Sequence, residues 1–222
     1  MPGAVAFDVY GTLVDPLEMG ERLGPVVGEG LAGPMAKLWR EKQLEYTFRR
    51  ALMRSYEDFD LCTRQALDYA TEALGAELSE GDRERLIEEY TSLSPFPDVA
   101  PGLGAMRGAG HALVAFSNGV EATVRALLER AGVLPLLDGV VSVDDVRSFK
   151  PDAEVYRYLC RRLDRPPADV WLVSSNPFDV IGGKSAGLNV AWVRRDPKIP
   201  FDPWGIDPDL VVPDLKALAS KL

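Results

Sequence analysis

The sequence predicts an α/β protein, with an open, mostly parallel, Rossmann-like sheet and an all-helical cap inserted after its first strand. Three observations support this prediction. Six short apolar runs lie along the chain, five of which end in polar residues, and helical patterns lie between several of these runs. Residues 15–95, in contrast, contain helical patterns and no strand pattern. Strands that alternate with helices are typical of parallel sheets covered on both faces.

The predicted strands are short, mostly apolar runs, as expected for buried strands. They are AVAF (4–7), HALVAF (111–116), VVSV (140–143), VWLV (170–173), VAWV (190–193) and LVV (210–212). Two helices are predicted between them. Residues 120–131 repeat apolar side chains at helical spacing and stop at Gly132, and residues 152–163 form a second helix after Pro151.

The helical block after the first strand is predicted to be a separate cap domain. Its helical stretches cover about residues 33–56, 60–74 and 79–92, and Ser79 is a suitable N-cap for the last of them. The block closes near Pro95, Phe96 and Pro97. We therefore expect a core domain of residues 1–14 and 96–222 and a cap domain of residues 15–95.

Composition restricts the classes of partner. The formal charge of −9 argues against nucleic acid and against an acidic membrane surface, since both require a basic footprint. Cys62 and Cys160 have no CxxC spacing and are expected to be unbridged and inert. The first residues do not resemble a signal sequence and no apolar run approaches the length of a membrane span, so the default location is the cytoplasm.

Polar side chains follow four of the predicted strands, where ligands bind in open α/β sheets. Asp, Asn and Ser also favour turns for local reasons, which could account for any one of these residues alone. Four segments that converge on one sheet edge are better explained by a site. The polar residues are Asp8, Thr12, Ser117, Asn118, Lys150, Ser174, Asn176 and Asp179.

These segments resemble the motifs of the haloacid dehalogenase superfamily. FDVYGTLVD (7–15) resembles the first motif, and SNG (117–119), the lysine of FKP (149–151) and SSNPFD (174–179) resemble the later ones, in the same order. The resemblance spans nearly the whole chain once the cap is included.

Two departures separate this chain from the phosphatases of that superfamily. Tyr10 stands where those enzymes carry a second aspartate, and the fourth motif supplies Asn176 and one carboxylate, Asp179. A magnesium ion usually requires more carboxylate ligands than this. The segment LWREKQLEYTFRRALM (38–53) is similar to the cap helix of the L-specific 2-haloacid dehalogenase branch, with Arg40 at the functional arginine and Leu44 on the same helix face.

The branch resemblance implies hydrolysis of short L-2-haloacids to D-2-hydroxyacids, with no metal and no cofactor. Asp8 is expected to attack the α-carbon, expel halide and form an ester that water then hydrolyses. Lys150 is expected to hold Asp8 ionised, and Asp179 to activate the water, with Asn176 and Tyr156 as supports. The one histidine, His111, begins a strand and is expected to be structural.

The remaining assignments concern positioning and the small anionic substrate. The resemblance implies that Thr12 and Ser174 position Asp8, that Ser117 binds the substrate carboxylate, and that Tyr10 and Tyr156 contribute to substrate binding. The halide is expected at Arg40, Asn118 and Phe178, and an apolar pocket at Leu44, Phe59 and Phe178; core packing explains Phe59 equally well. The alternatives to a dehalogenase are a small-molecule phosphatase and an inactive scaffold. Proteins of the dehalogenase branch are commonly dimeric.

Overall fold

The computed structural model describes residues 3–222, and within that range a six-stranded sheet forms the centre of the molecule. The strands are β1 (Ala4–Phe7), β2 (Ala112–Ser117), β3 (Gly139–Ser142), β4 (Val170–Ser174), β5 (Asn189–Val193) and β6 (Leu210–Val212). All neighbouring strands are parallel, in the order β3-β2-β1-β4-β5-β6. Every residue of β1 is buried, because helices cover both faces of the sheet. The predicted parallel α/β sheet is confirmed.

Between β1 and β2 the chain forms helices and two isolated β-bridges, both at Val14. In order the helices are α1 (Met19–Val27), α2 (Glu29–Met53), α3 (Phe59–Ala73), α4 (Glu80–Glu89) and α5 (Val99–Gly108). The helices that follow are α6 (Glu121–Arg130), α7 (Ala153–Leu163), α8 (Pro177–Ser185) and α9 (Leu215–Ala219). The first four lie within the predicted cap, whose division from the core at residues 14/15 and 95/96 stays a prediction.

The predicted limits of the longest helix are wrong at both ends. The helix α2 begins at Glu29, ahead of the predicted start near residue 33, and ends at Met53 instead of residue 56. The glycines and the proline at the start of α2 have low helix propensity. Packing against α1 buries Ala32 and Met35, and the free energy gained by this burial outweighs the low propensity. At the other end Arg54 takes a left-handed conformation with φ 56°, which closes the helix.

Several local predictions are confirmed. The Ser79 side chain caps α4 by accepting a hydrogen bond from the amide of Asp82, and Gly132 follows α6 with φ 68°. His111 precedes β2 and accepts a hydrogen bond from the amide of Gly3, at the sheet edge opposite the polar strand ends. β2 itself is shifted one residue along from its predicted limits.

The two cysteines and the helix lengths agree with the remaining expectations. Cys62 and Cys160 are both free and buried, and burial raises the pKa of the Cys62 thiol to about 11, so it is protonated at neutral pH. None of the helices in residues 3–222 combines the length and apolarity that a membrane span requires.

Candidate active site

The candidate site lies where the strand order of the sheet reverses. Successive strands run outward from β1 through β2 to β3 on one side, and from β4 through β5 to β6 on the other. The crevice beyond the carboxyl ends of β1 and β4 is therefore a topological switch point, the usual ligand position in such sheets. Asp8 follows β1 directly and its amide donates to the carbonyl of Val173, so it lies beside Ser174 at the end of β4.

The two oxygens of the Asp8 carboxylate accept different numbers of hydrogen bonds. Its Oδ2 accepts hydrogen bonds from Thr12 Oγ1 at 2.8 Å, Asn176 Nδ2 at 2.7 Å and Ser174 Oγ at 3.2 Å. Its Oδ1 accepts one, from Lys150 Nζ at 3.1 Å. Three donors saturate the lone pairs of Oδ2, so Oδ1 is the oxygen with capacity left for a reaction.

The loop after β1 is tied to the loop after β4 by two side chains. Thr12 Oγ1 accepts the amide hydrogen of Ser175 while its own hydroxyl donates to Asp8. The second side chain, Asn176, bonds both Asp8 and the carbonyl of Tyr10. Gly11 turns the chain between them with φ 91°, a conformation that is costly for residues with a Cβ. The Asp8 carboxylate is therefore fixed by backbone geometry on both sides.

Lys150 lies fully buried between two carboxylates. Its Nζ donates to Asp179 Oδ2 at 2.9 Å, to Asp8 Oδ1 at 3.1 Å and to the carbonyl of Phe116 at 2.8 Å. Burial alone would lower the pKa of Lys150, but the charges of Asp179 and Asp8 outweigh it and raise that pKa above its ordinary value. All three ammonium hydrogens are engaged, so Lys150 is an oriented, permanent cation.

Asp179 completes this buried cluster. It is fully buried, and its Oδ1 accepts the hydroxyl hydrogen of Tyr156 at 2.9 Å. Burial raises the pKa of Asp179, and Lys150 opposes that rise. The absence of a side chain at Gly182 allows Tyr156 to approach, since a Cβ there would lie 2.4 Å from the Tyr156 hydroxyl. Both oxygens of Asp179 are therefore occupied by donors.

Arg40 reaches the site from α2. It donates to the carbonyl of Tyr10 at 3.2 Å and to Gln43 Oε1 at 2.7 Å. The amide of Gln43 is fully buried and also bonds Thr63 on α3 at 2.6 Å and the hydroxyl of Tyr90 at 3.0 Å. Arg40 is thus anchored through α2 to the other helices and is not a freely solvated side chain.

Sequence reasoning missed Gln43, Thr63 and Tyr90, which hold Arg40 in place. A signal was available for Gln43, because it lies three residues after Arg40 and so shares its helix face. Thr63 and Tyr90 carried no comparable signal, since they meet Gln43 only through tertiary packing.

Nine of the predicted residues line one small chamber. Its volume is about 10 Å³, and its walls are Asp8, Tyr10, Arg40, Leu44, Phe59, Asn118, Lys150, Asn176 and Phe178. The other five predicted residues lie outside this wall: Thr12, Ser117, Tyr156, Ser174 and Asp179. Thr12 and Ser174 bond Asp8, and Tyr156 bonds Asp179, which accepts from Lys150. Ser117 is buried, and its Oγ accepts the amide hydrogen of Gly119.

The residues around Asp8 do not fit a magnesium ion. The side chain at position 10 is a buried tyrosine whose ring packs on Phe59 and Tyr90, and burial raises its pKa. The second carboxylate of the site, Asp179, is already paired with Lys150. A magnesium site needs several free oxygen ligands, and here a lysine ammonium lies between the two carboxylates.

Comparisons with known proteins agree with this geometry. The family model for haloacid dehalogenase-like hydrolases matches residues 2–187. (S)-2-haloacid dehalogenase 1 of Pseudomonas sp. (strain CBS-3) is 38% identical, over 86% of this chain and 84% of its own length. Haloacetate dehalogenase H-2 of Moraxella sp. (strain B) is 37% identical, over 97% of this chain and 95% of its own.

A solved structure extends the likeness to three dimensions. The L-2-haloacid dehalogenase from Xanthobacter autotrophicus, with chloropropionic acid covalently bound, superposes with a TM-score of 0.92 at 35% identity. The match covers 99% of this chain and 98% of that one. The motifs, the parallel sheet and these matches lead to one conclusion: the chain belongs to the haloacid dehalogenase-like hydrolase family.

Proposed function

We propose that this chain hydrolyses short L-2-haloacids to D-2-hydroxyacids through an ester on Asp8. The observation that carries the proposal is the uneven binding of the Asp8 carboxylate, with Oδ2 held by three donors and Oδ1 facing Lys150. A carboxylate is already ionised at neutral pH and needs no base to become a nucleophile. Relatives named (S)-2-haloacid dehalogenase support the same substrate class.

In the first step Asp8 Oδ1 forms a bond to the α-carbon of the substrate. The carbon–halogen bond breaks at the same time, and its electron pair leaves with the halide. Arg40, Asn118 and Phe178 all line the chamber and can receive a large, weakly hydrated anion. Since Asn118 Oδ1 accepts the amide hydrogen of Lys150, the NH₂ group of Asn118 is the part that can donate to the halide.

Cations are required because both reactants are anions. Two carboxylates about 4 Å apart repel each other by about 4 kcal/mol at an effective dielectric constant near 20. Lys150 and Arg40 both line the chamber and offset this repulsion. Ser117 is proposed to help bind the substrate carboxylate; its hydroxyl accepts the amide hydrogen of Gly119 and retains a hydrogen to donate.

In the second step water attacks the carboxyl carbon of the Asp8 ester. The ester bond to Asp8 Oδ1 breaks, the hydroxyacid leaves with that oxygen, and water restores the Asp8 carboxylate. We assign activation of this water to Asp179, with Asn176 and Tyr156 as supports. Each oxygen of Asp179 accepts one side-chain hydrogen bond, from Lys150 or from Tyr156, so the carboxylate keeps lone pairs with which it can accept a hydrogen from the water.

One paired assay tests the function. Halide release from L-2-chloropropionate is measured beside hydrolysis of p-nitrophenyl phosphate, each with and without EDTA. We expect halide release that EDTA does not reduce, and no phosphate release. Phosphate release that requires magnesium would establish the phosphatase alternative, and inactivity in both assays would establish the scaffold alternative.

The product's configuration tests the displacement geometry. In-line attack at the α-carbon inverts its configuration, and ester hydrolysis leaves it unchanged. Chiral chromatography should therefore show D-lactate from L-2-chloropropionate, while the D-substrate is not consumed. L-Lactate as the product would contradict a single displacement.

A homodimer and a cytoplasmic location stay predictions from the sequence.

A further inference from the structure

The chamber around Asp8 is too small for a substrate to enter without displacing part of its wall. Its volume of about 10 Å³ corresponds to one water molecule. Even the smallest haloacid is several times larger. A wall residue that also borders a larger cavity is therefore a place where the substrate and the halide can pass.

Three larger cavities share wall residues with the chamber. The arginine cavity, about 400 Å³ and lined by Arg40, Arg194 and Arg195, shares Arg40 and Asn176. The acidic cavity, about 210 Å³ and lined by Asp60, Glu84 and Glu88, shares Tyr10 and Phe59. The Trp204 cavity, about 200 Å³ and lined by Trp204 and Asp202, shares Phe178.

Charge distinguishes these cavities for an anion. The lining of the acidic cavity has one arginine, Arg64, against three carboxylates, and Asp202 is the charged residue in the lining of the Trp204 cavity. The arginine cavity has three arginines against Asp15 and Asp196. A haloacid or a halide is therefore disfavoured by the charges of the first two cavities and is opposed least by those of the third.

Two of the three arginines are available to an anion. Arg195 is paired with Asp98 at 2.9 Å. Arg40 donates to a side-chain amide and a carbonyl, and Arg194 donates to the carbonyls of Pro197 and Ile199. Within residues 3–222, neither Arg40 nor Arg194 has a carboxylate partner.

Unsatisfied donors are found in the same cavity. In the described part of the chain, two buried side-chain polar atoms have no hydrogen-bond partner, Ser175 Oγ and Arg195 Nε, and both residues line the arginine cavity. Buried donors without an acceptor are rare in folded proteins. The wall of the arginine cavity therefore includes two residues with hydrogen-bonding capacity that no described residue uses.

We propose that the arginine cavity is an anion-binding vestibule, through which the haloacid enters and the halide leaves past Arg40, with Arg194 as its outer contact. The nature of the anion rests on the proposed function, whereas binding of an anion in the cavity does not. Arg194 is a binding contact along the route and has no part in the displacement at Asp8.

Iodide quenching tests anion binding without any catalysis. Trp192 lines the cavity, so a Trp171→Phe, Trp204→Phe background leaves two fluorophores, Trp192 and the buried Trp39, which does not line it. We expect Arg194→Gln to lower the Stern–Volmer constant for iodide about twofold or more. The Arg194 guanidinium lies 5.5 Å from the centre of the Trp192 ring, so the iodide constant is divided by that for neutral acrylamide, which corrects for changed access to the ring. Arg165→Gln, at the cavity beside His111, is the charge-matched control. Iodide quenching that is absent, or equal with and without Arg194, would overturn the proposal.

Kinetics test whether the vestibule is the route. Arg194→Gln should lower kcat/KM for L-2-chloropropionate by about threefold or more at low salt, with kcat unchanged and a weaker salt dependence. Leu17→Trp narrows the arginine cavity and should lower kcat/KM, whereas Ile87→Trp narrows the acidic cavity and should not. The reverse pattern would place the route elsewhere. If the native protein released no halide, the proposed function would fail, while the iodide experiment would still test the vestibule.

Discussion

At the scale of single residues, Lys150 decides how the site is organised. It is fully buried, and each of its three ammonium hydrogens has an acceptor. Removing one partner of a buried ion pair costs about 3–5 kcal/mol, because the other charge is left uncompensated. Substitutions of Asp8 and Asp179 therefore need a check of folding, by circular dichroism, beside every activity measurement.

The first prediction concerns the source of the product oxygen. If Asp8 is the nucleophile, its own oxygen is transferred to the product and water only refills the carboxylate. A single turnover in heavy-oxygen water, with enzyme in excess, should label the peptide that contains Asp8 and leave the product unlabelled. Mass spectrometry of peptide and product reads both outcomes. Label in the first product would show that Asp8 acts as a base for direct attack by water.

The second prediction separates the two half-reactions at Asp179. Asp179→Asn keeps the shape of the side chain, and Lys150 retains the carboxylate of Asp8 and the carbonyl of Phe116 as acceptors. Halide should therefore still leave in a burst of up to one equivalent, while loss of a base slows ester hydrolysis about 10²–10⁴-fold. The ester should appear as a mass increase on the intact protein.

A matched variant controls that experiment. Tyr156→Phe removes the hydroxyl that bonds Asp179 and keeps the carboxylate, so it should slow hydrolysis less and accumulate less ester. A folded Asp179→Asn protein with neither burst nor adduct would mean that the first step had failed. Asp179 would then serve to orient Lys150, a role that its burial and its two bonds also allow.

At the scale of elements, α2 connects the residues after β1 to helix α3. Trp39 and Gln43 are buried and bond Thr63 on α3, while Arg40, on the same helix, reaches the carbonyl of Tyr10 after β1. The direction of Arg40 therefore depends on how α2 packs. This explains why a charged residue on a helix can be placed with the accuracy that a binding site requires.

The third prediction tests this anchoring. Gln43→Leu keeps a similar volume but leaves Thr63, Tyr90 and Arg40 without their shared amide. We expect a loss of about 1–3 kcal/mol in the free energy of unfolding, measured in urea, because buried polar groups lose partners. The rate of halide release should also fall in the folded variant, since Arg40 loses its 2.7 Å contact.

An exposed position on the same helix provides the control. Glu41 faces solvent and makes a loose 3.9 Å pair with Lys37, so Glu41→Gln should change stability by less than about 0.5 kcal/mol and leave the rate unchanged. A Gln43→Leu enzyme with native stability and native rate would show that α2 holds Arg40 by packing alone.

At the scale of the whole molecule, the sheet order brings distant segments together. Asp8 and Asp179 are far apart in sequence, and both contact Lys150 because β1, β2 and β4 are neighbours and the loop after β3 reaches across to them. The switch point between β1 and β4 supplies the crevice, and α2 and α3 contact the chain that follows β1 through Arg40 and Phe59. The pH behaviour of the enzyme follows from how this assembly buries its charges.

The fourth prediction is a wide alkaline plateau of activity. The carboxylates around Lys150 raise its pKa above the ordinary value of 10.5, and burial raises the pKa of Tyr10. A raised pKa means that each group keeps its proton to a higher pH than in the unfolded chain. The stabilisation by Lys150 is therefore fully present below 10.5 and is lost only as pH rises through the higher native value. Halide release should not decline between pH 7 and about 10.

Lowering the pH, in contrast, should reduce the rate of halide release. Burial raises the pKa of Asp179 above the ordinary value of 3.8, so its pairing with Lys150 is lost at a higher pH than for an ordinary aspartate. The acid limb of the rate profile should lie above pH 3.8, with circular dichroism at each pH as the control. A rate that declines with an apparent pKa near 9 would contradict the assigned environment of Lys150.

Much of the site could be predicted because its chemistry is local in sequence. Asp8, Ser174 and Asn176 come directly or shortly after apolar runs, so they could be placed at strand ends without coordinates. The start of α2 could not be predicted in this way, because Gly30, Gly33 and Pro34 disfavour a helix locally. Packing against α1 stabilises the helix there.

The sequence by itself determined the parallel α/β class, the residues at the strand ends and the helical character of residues 15–95. Apolar periodicity and polar strand ends are local properties of the chain, and they can be read without knowing which strands are neighbours. The tertiary structure alone decided that Lys150 lies between Asp8 and Asp179, that Gln43 bonds Arg40, and that Arg194 lines the same cavity as Arg40. These are contacts between segments far apart in the chain, and only the order of the strands and the packing of α2 set their distances.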